Sequence, residues 1–268
     1  MHERERWQMI LKLVRERGVI EVRDLVASTG ASSATIRRDL SKLEETGELR
    51  RVHGGVEAVN ALGPKDLETR GLAASLVLNI EAKRAIARAA VERVRDGESI
   101  IINAGSTTFQ MVEWLAARQL NILTNSFAIA QALIAGSDNR IVMPGGEIYR
   151  KQGIVVSPFD DDSIQHYTAT QMFMSCVSIG PMGVIEGDPL ITRAEAKLLR
   201  RASKLVVLVD SSKFEPRGSI VVCPLSRVGT VITDDGIPDA AREMLERSGI
   251  ETIVVPVAGA ERMAHSAA

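Results

Sequence analysis

Apolar residues recur at helical spacing from the start of the chain. Trp7, Ile10, Leu11 and Val14 share one face, and Gly18 stops that helix. A second short helix, Glu21 to Ser28, carries Val22, Leu25 and Val26, and Gly30 then turns the chain. Ser32 stands where an N-cap is wanted, ahead of Ile36, Leu40 and Leu43 on one face of a third helix ending at Gly47. The rhythm changes at Leu49-Arg50-Arg51-Val52-His53-Gly54-Gly55-Val56, whose alternation and glycines predict a small hairpin. Three helices and a hairpin make a winged helix-turn-helix over residues 1–59.

Residues 60–78 have no strong period, and Gly63-Pro64 breaks any helix, so this stretch reads as a linker. Beyond it, apolar runs alternate with amphipathic stretches. The predicted strands are Ser99–Asn103, Asn121–Thr124, Arg140–Met143, Met172–Ser178, Lys204–Asp210, Val228–Thr233 and Glu251–Val255. The predicted helices are Thr107–Ala117, Ser126–Ala135, Arg193–Ala202 and Asp239–Ser248. Continuous Ile/Val runs between helices indicate an α/β domain over residues 79–257, with a mostly parallel sheet covered on both faces. Residues 258–268 read as a tail.

Composition narrows the classes. Of 268 residues, 45% are hydrophobic and 25% charged, as in a globular chain rather than a disordered one. Nine aromatics in all leave the core to aliphatic residues. The formal net charge of -1 argues against a chain that coats nucleic acid or membrane through bulk charge, although the first 60 residues are slightly basic and the rest slightly acidic. Two cysteines exclude a disulfide scaffold. Neither a transmembrane stretch nor a secretory leader stands out, so a cytoplasmic protein is expected, with no membrane partner. Cys176 reads as core. Cys223 lacks companions for a metal, and the acidic run Asp160-Asp161-Asp162 reads as a solvated turn, so neither metal nor cofactor is expected.

The third helix would turn Ser33, Ala34, Thr35, Arg37, Arg38, Ser41 and Lys42 outward. Small hydroxyl residues with arginines suit the major groove: little bulk, donors to phosphate, and bidentate reach to guanine. Arg50, Arg51 and His53 on the hairpin could grip the adjacent backbone. Asp39 would repel phosphate if it faced outward, so it is expected to turn inward and pair with an arginine of the same domain. Arg6, Ile10 and Val14, followed by Ser32, Thr35, Ile36, Arg37, Arg38, Asp39 and Leu40, resemble the signature of the DeoR family of bacterial transcription regulators. The resemblance implies a C-terminal effector domain and double-stranded operator DNA as partner. The DNA-binding candidates are Ser33, Thr35, Arg37, Arg38, Lys42, Arg50, Arg51 and His53.

In the second region, the strand ending at Asn103 runs into Ala104-Gly105-Ser106-Thr107-Thr108 and a helix, a turn that offers amides and hydroxyls to an anion. Thr124-Asn125-Ser126, Gly145-Gly146 and Asp210-Ser211-Ser212-Lys213 follow other strands to the same edge. The family resemblance extends over these stretches and adds Glu195 with Lys197. It implies a fold like that of sugar-phosphate isomerases and coenzyme A transferases, sensing a phosphorylated sugar. By it, Ser106, Thr107 and Thr108 would bind phosphate with Lys213, while Asn125, Glu195 and Asp210 would address hydroxyls. Asn103, Gly105, Gly145, Gly146 and Lys197 complete the candidate effector site. Asn103 departs from the aspartate common in the family. With Gln152–Pro158 and Met172–Ser175 it resembles the branch that represses L-ascorbate utilisation, which implies a sugar-acid phosphate.

The leading expectation is a ligand-controlled repressor of a carbohydrate-catabolism operon, working as a homodimer or homotetramer and having no catalytic residues. The alternative is a sugar-phosphate isomerase-like enzyme with a DNA-binding extension, Glu195 or Asp210 serving as general base.

Overall fold

The computed structural model describes residues 3–17, 19–45, 49–52, 55–58, 72–157, 159 and 163–257. Gly18, Gly47, His53, Gly54, the Gly63-Pro64 break, Asp160–Asp162 and the 258–268 tail lie outside the described residues. The chain divides into two compact units, Met1–Leu67 and Glu68–Ala268.

In the first unit, α1 (Glu3–Arg17), β1 (Val19–Glu21), α2 (Val22–Thr29), α3 (Ser33–Glu45), β2 (Leu49–Val52) and β3 (Gly55–Ala58) follow one another. The apolar positions do what their spacing asks. Ile10, Val14, Leu25, Ile36, Leu40, Leu43, Leu49 and Val56 are all buried in one cluster. Gly30 ends α2 in the left-handed region (φ 67°), its N–H donating to Val26 O, which makes the sharp turn into α3. β1 is too short to show in the pattern, yet it adds a third strand, giving the antiparallel order β1-β3-β2. The two strands approach so closely at Gly55 that a Cβ there would sit 2.4 Å from Ile20 O.

The second unit opens with α4 (Leu72–Val77), inside the stretch expected as linker, and α5 (Ile80–Val91). Then come β4 (Ser99–Ile102), α6 (Ser106–Phe109), α7 (Val112–Leu115), β5 (Asn121–Thr124), α8 (Phe127–Gly136) and β6 (Arg140–Val142). A hairpin of β7 (Glu147–Tyr149) and β8 (Ile154–Val156) leads to β9 (Ala169–Met174), β10 (Ser178–Gly180), β11 (Gly183–Glu186) and α9 (Pro189–Leu199). The chain ends through β12 (Ala202–Leu208), β13 (Ile220–Cys223), β14 (Thr230–Asp234), α10 (Asp239–Arg247) and β15 (Glu251–Val255).

Seven strands form one sheet in the order β15-β14-β12-β9-β4-β5-β6. Every pairing in it is parallel. Helices α5, α7 and α8 pack Ile86, Leu115, Ile129 and Leu133 on one face, against Ile100, Ile102, Ile122 and Phe173. Helices α9 and α10 pack Leu198 and Leu245 on the other, against Met172, Leu205, Val207 and Val231. Beside it, β10, β11 and β13 make a small antiparallel sheet. From β4 the chain winds outward to β6, returns to the other side of β4 as β9, and winds the opposite way. The strand order therefore reverses between β4 and β9, where an open α/β sheet leaves a crevice at its carboxyl edge.

One helix differs from its pattern. The Thr107–Ala117 stretch forms α6 and α7 rather than a single rod. Gln110 and Met111 donate to Thr107 O and Thr108 O, three residues back, so the winding tightens there and interrupts the α-helical ladder.

Candidate functional site

The first unit presents α3. The Ser32 hydroxyl accepts from the Thr35 amide at 3.2 Å and pairs with the Thr35 hydroxyl at 2.8 Å, so this N-cap is formed. Ser33, Arg37, Arg38 and Lys42 are exposed along the helix, and Thr35 is half-buried. Lys42 lies 5.6 Å over the Trp7 ring, which positions its stem while the ammonium stays at the surface. Arg50 and Arg51 lie on β2, while His53 falls outside the described residues.

Asp39 turns inward, as expected of an acid on a DNA-facing helix, and is only 3% exposed. Arg6 Nε donates to one of its oxygens at 2.6 Å and Arg6 Nη2 to the other at 3.2 Å. The Trp7 indole N–H donates at 2.9 Å. Burial pushes this carboxyl up. The hydrogen bonds from Arg6 and Trp7 and the charges of Arg6 and Lys42 outweigh it, holding the pKa below its ordinary value. Asp39 therefore neutralises Arg6 and ties α1 to α3.

The second unit gathers polar groups at the sheet reversal. Asn103 closes β4 and is 1% exposed. Its Nδ2 donates to Ser175 O just past β9 (2.8 Å) and to Glu195 Oε1 on α9 (2.6 Å), while its Oδ1 accepts from Ser175 N at 2.9 Å. The Thr108 hydroxyl donates to Asn103 O and accepts from Gly105 N, each at 2.9 Å. Gly105 is a glycine of necessity, because a Cβ would stand 2.5 Å from the Ser175 Cβ. Ile102 pairs with Thr124, so Asn103 and Asn125 leave neighbouring strands side by side.

Around this node, Thr107 Oγ1, both amide atoms of Asn125 and Glu195 Oε2 are buried with no hydrogen-bond partner among the described residues. Orphaned buried polar atoms are costly, and their convergence on one edge marks a place for a polar ligand. Burial and the nearby Glu186 carboxyl push the Glu195 pKa well above the carboxylate range, against the Asn103 hydrogen bond. The raised pKa favours the neutral form of Glu195, and with Oε1 accepting from Asn103, a proton on Oε2 would face the ligand side as a donor. Asp210, 2% exposed, accepts from Asn79 and Ser212, and Lys213 is half-buried on the turn that follows.

Other expected residues are placed differently. Ser106 opens α6, half-buried. Gly146 holds the β7–β8 hairpin, where a Cβ would stand 2.2 Å from Val156 O, and Gly145 beside it is exposed. The Lys197 ammonium donates to the carbonyls of Ser157 and Phe159, anchoring the segment after β8. A cavity of about 190 Å³, bordered by Ser99, Asn121, Arg140 and Tyr167, opens at the amino ends of β4, β5 and β6, the edge opposite these groups.

The sequence reading missed Lys83. It is 3% exposed on α5 and donates to Ser75 O at 2.6 Å. Its signal is position: it lies in register with Ile86, Ala87 and Ala90 on the buried stripe of that helix.

A winged helix with cations along its third helix, carried on one chain with an α/β unit whose sheet edge holds unpaired polar groups, defines a ligand-sensing DNA-binding regulator. A family model described as the DeoR-like helix-turn-helix domain matches residues 6–61, and one described as the DeoR C terminal sensor domain matches residues 78–235. The chain belongs to the DeoR family and is a DNA-binding transcription regulator. It is 32% identical to the HTH-type transcriptional regulator UlaR of Shigella dysenteriae serotype 1 over 255 residues, 95% of this chain and 100% of that protein. The Escherichia coli O1:K1 / APEC protein of that name shows the same identity and coverage. These relatives are regulators, which disfavours the enzyme alternative. A solved ribose 5-phosphate isomerase from Methanocaldococcus jannaschii is 21% identical over 50% of this chain and 54% of that one, at a TM-score of 0.38, too partial a likeness to argue from. No helix among the described residues is long and apolar enough to cross a membrane.

Proposed function

We propose that this regulator represses a carbohydrate-catabolism operon in the cytoplasm, and that a phosphorylated sugar or sugar acid bound at the β4–β9 edge weakens its hold on the operator. The observation that carries the reading is the set of unpartnered buried groups on Thr107, Asn125 and Glu195. Two amide atoms and a carboxyl whose raised pKa favours its neutral form suit hydroxyls. Ser106, Thr107 and Lys213 suit the anionic end. Asn103 in place of an aspartate adds no charge against such a ligand.

The winged helix reads half-sites, so a homodimer or homotetramer is the working form. In α3, Arg37 and Arg38 reach base edges or phosphates, with Ser33, Thr35 and Lys42 beside them. The wing adds Arg50, Arg51 and His53. Effector binding favours an arrangement in which the two winged helices no longer match the operator spacing.

Gel shifts on DNA upstream of the regulator's own locus, with and without a panel of sugar phosphates, test the reading. Absence of any retarded complex would sink it. Arg37→Ala is expected to weaken operator binding roughly 5- to 150-fold, as loss of a guanine contact does. Unchanged affinity, read in the same titration, means Arg37 points elsewhere. Lys213→Ala is expected to leave operator affinity intact while raising the effector concentration needed for release about tenfold or more. A collapse of DNA affinity in that variant counts against its place in the pocket.

A further inference from the structure

The corner between α4 and α5 is latched to the effector edge. Asn79 sits there in the left-handed region (φ 51°), the one described non-glycine residue with positive φ. Its carbonyl accepts from Lys83 N at 3.0 Å, starting α5. Its side-chain amide reaches 3.0 Å to Asp210 Oδ1 at the end of β12. Lys83 then crosses back to Ser75 O in α4. Helix α6, which carries the unpartnered Thr107 hydroxyl, packs against both α4 and α5.

The charge at this corner is unbalanced. Asp210 and Lys213 are the charged groups that act on Lys83, one attractive and one repulsive. Two cations thus meet one carboxylate, and that carboxylate is already engaged by Asn79 and Ser212. A buried ammonium held by a carbonyl recovers little of its lost hydration. Burial, with Lys213 adding to it against Asp210, brings the Lys83 pKa down to about 8. An anion beside Thr107 would offer Lys83 a charge-assisted bond, stronger than the one to Ser75 O.

We propose that Lys83 binds the anionic group of the effector, a phosphate or a carboxylate, and that in doing so it leaves Ser75 O and releases α4. The inference rests on the effector site proposed above. Its consequence follows from chain order. Helix α4 is the first described element after the winged helix, and six residues do not hold a helix on their own. Loss of the Lys83 bond therefore loosens the segment that leads to the DNA-binding unit.

The test uses the full chain with inorganic phosphate, D-gluconate and 6-phospho-D-gluconate, reading thermal midpoint and amide exchange of residues 72–77. Phosphate and 6-phosphogluconate are expected to raise the midpoint and to speed exchange in 72–77. A response to both gluconates without one to phosphate assigns the anion as carboxylate. Lys83→Met removes a buried charge at similar length, a change compatible with folding. It is expected to bind these anions roughly ten- to hundredfold more weakly and to show fast exchange in 72–77 with or without them. Lys83→Arg, which keeps the cation, is expected to recover part of the response. A wild type indifferent to all three probes overturns the effector site and this inference together. A wild type that responds, with Lys83→Met responding equally, overturns the inference alone. If Lys83→Met does not fold, the wild type decides: unchanged or slower exchange in 72–77 on anion binding overturns the release.

Discussion

Asp39→Ala is expected to weaken operator binding severely by destabilising the winged helix, although the side chain points away from DNA. The change strands Arg6, whose side chain keeps 13% of its exposure, and the Trp7 indole N–H. Removing one partner of a buried pair costs roughly 3–5 kcal/mol. Because Arg6 can still reach water, the lower end, about 3 kcal/mol, applies. A unit of this size holds a core worth roughly 3–5 kcal/mol net, so the loss takes most of it. Hydrogen exchange should show α1, α2 and α3 with most of their protection lost while β4, β9 and β12 keep theirs. Operator binding that survives with α3 protected would show the pair to be dispensable. Asp39→Asn, which keeps an acceptor for Trp7 but not the charge, should fall between. The same carboxylate makes the unit acid-sensitive. Its folded pKa lies below the unfolded value of about 3.9. Its contribution is therefore complete above that value and is lost as pH falls through the folded pKa. Protection of α3 should decline in acid below about pH 4, and Asp39→Asn should remove that component.

Legibility from sequence followed burial. All seven strands of the central sheet correspond to predicted ones, because strands covered on both faces must be apolar without interruption, as Ile100–Ile102 and Leu205–Leu208 are. Helix α5 escaped because half of its buried positions are alanines and another is Lys83, so few large apolar residues mark that face. The β10-β11-β13 sheet escaped for another reason. Its strands are three or four residues long, and Val184 meets Cys223 with α9 and β12 between them in the chain, a pairing that local periodicity cannot announce. The site divides the same way. Turns after β4 and β5 were visible as Gly/Ser/Thr/Asn clusters at strand ends. Glu195 came from family resemblance alone, since the residue it bonds, Asn103, is 92 positions away. The inward turn of Asp39 was legible because electrostatics forbids the outward one on a helix that meets phosphate.

Asn103 carries the other large effect, and two substitutions separate its roles. Asn103→Ala removes the donor to Ser175 O and Glu195 Oε1 and the acceptor for Ser175 N. Three buried polar groups are left without partners, at roughly 1–3 kcal/mol apiece when wholly unsatisfied, so a loss of about 3 kcal/mol or more is expected. The junction of β4, β9 and α9 loosens, and the effector response goes with it. Asn103→Asp is the finer probe. The new carboxyl still accepts from Ser175 N, but its second oxygen faces Ser175 O and Glu195 Oε1, two acceptors. It must hold a proton to stay, and the Glu195 carboxyl is already pushed well above its usual range by burial and Glu186. The new group's pKa is thus raised in the folded state, which then binds more protons than the unfolded chain. Stability falls with rising pH wherever the folded state holds the extra proton. The denaturation midpoint of Asn103→Asp should therefore approach wild type near pH 5 and fall away from it by pH 8, with roughly 1.4 kcal/mol lost for each tenfold gain in the carboxyl's proton affinity on folding. Parallel curves for the two proteins over that range would mean the Asn103 amide is not the donor to Glu195. Effector affinity should drop only at still higher pH, where the folded protein gives up that proton and the acidic ligand meets an added buried negative charge.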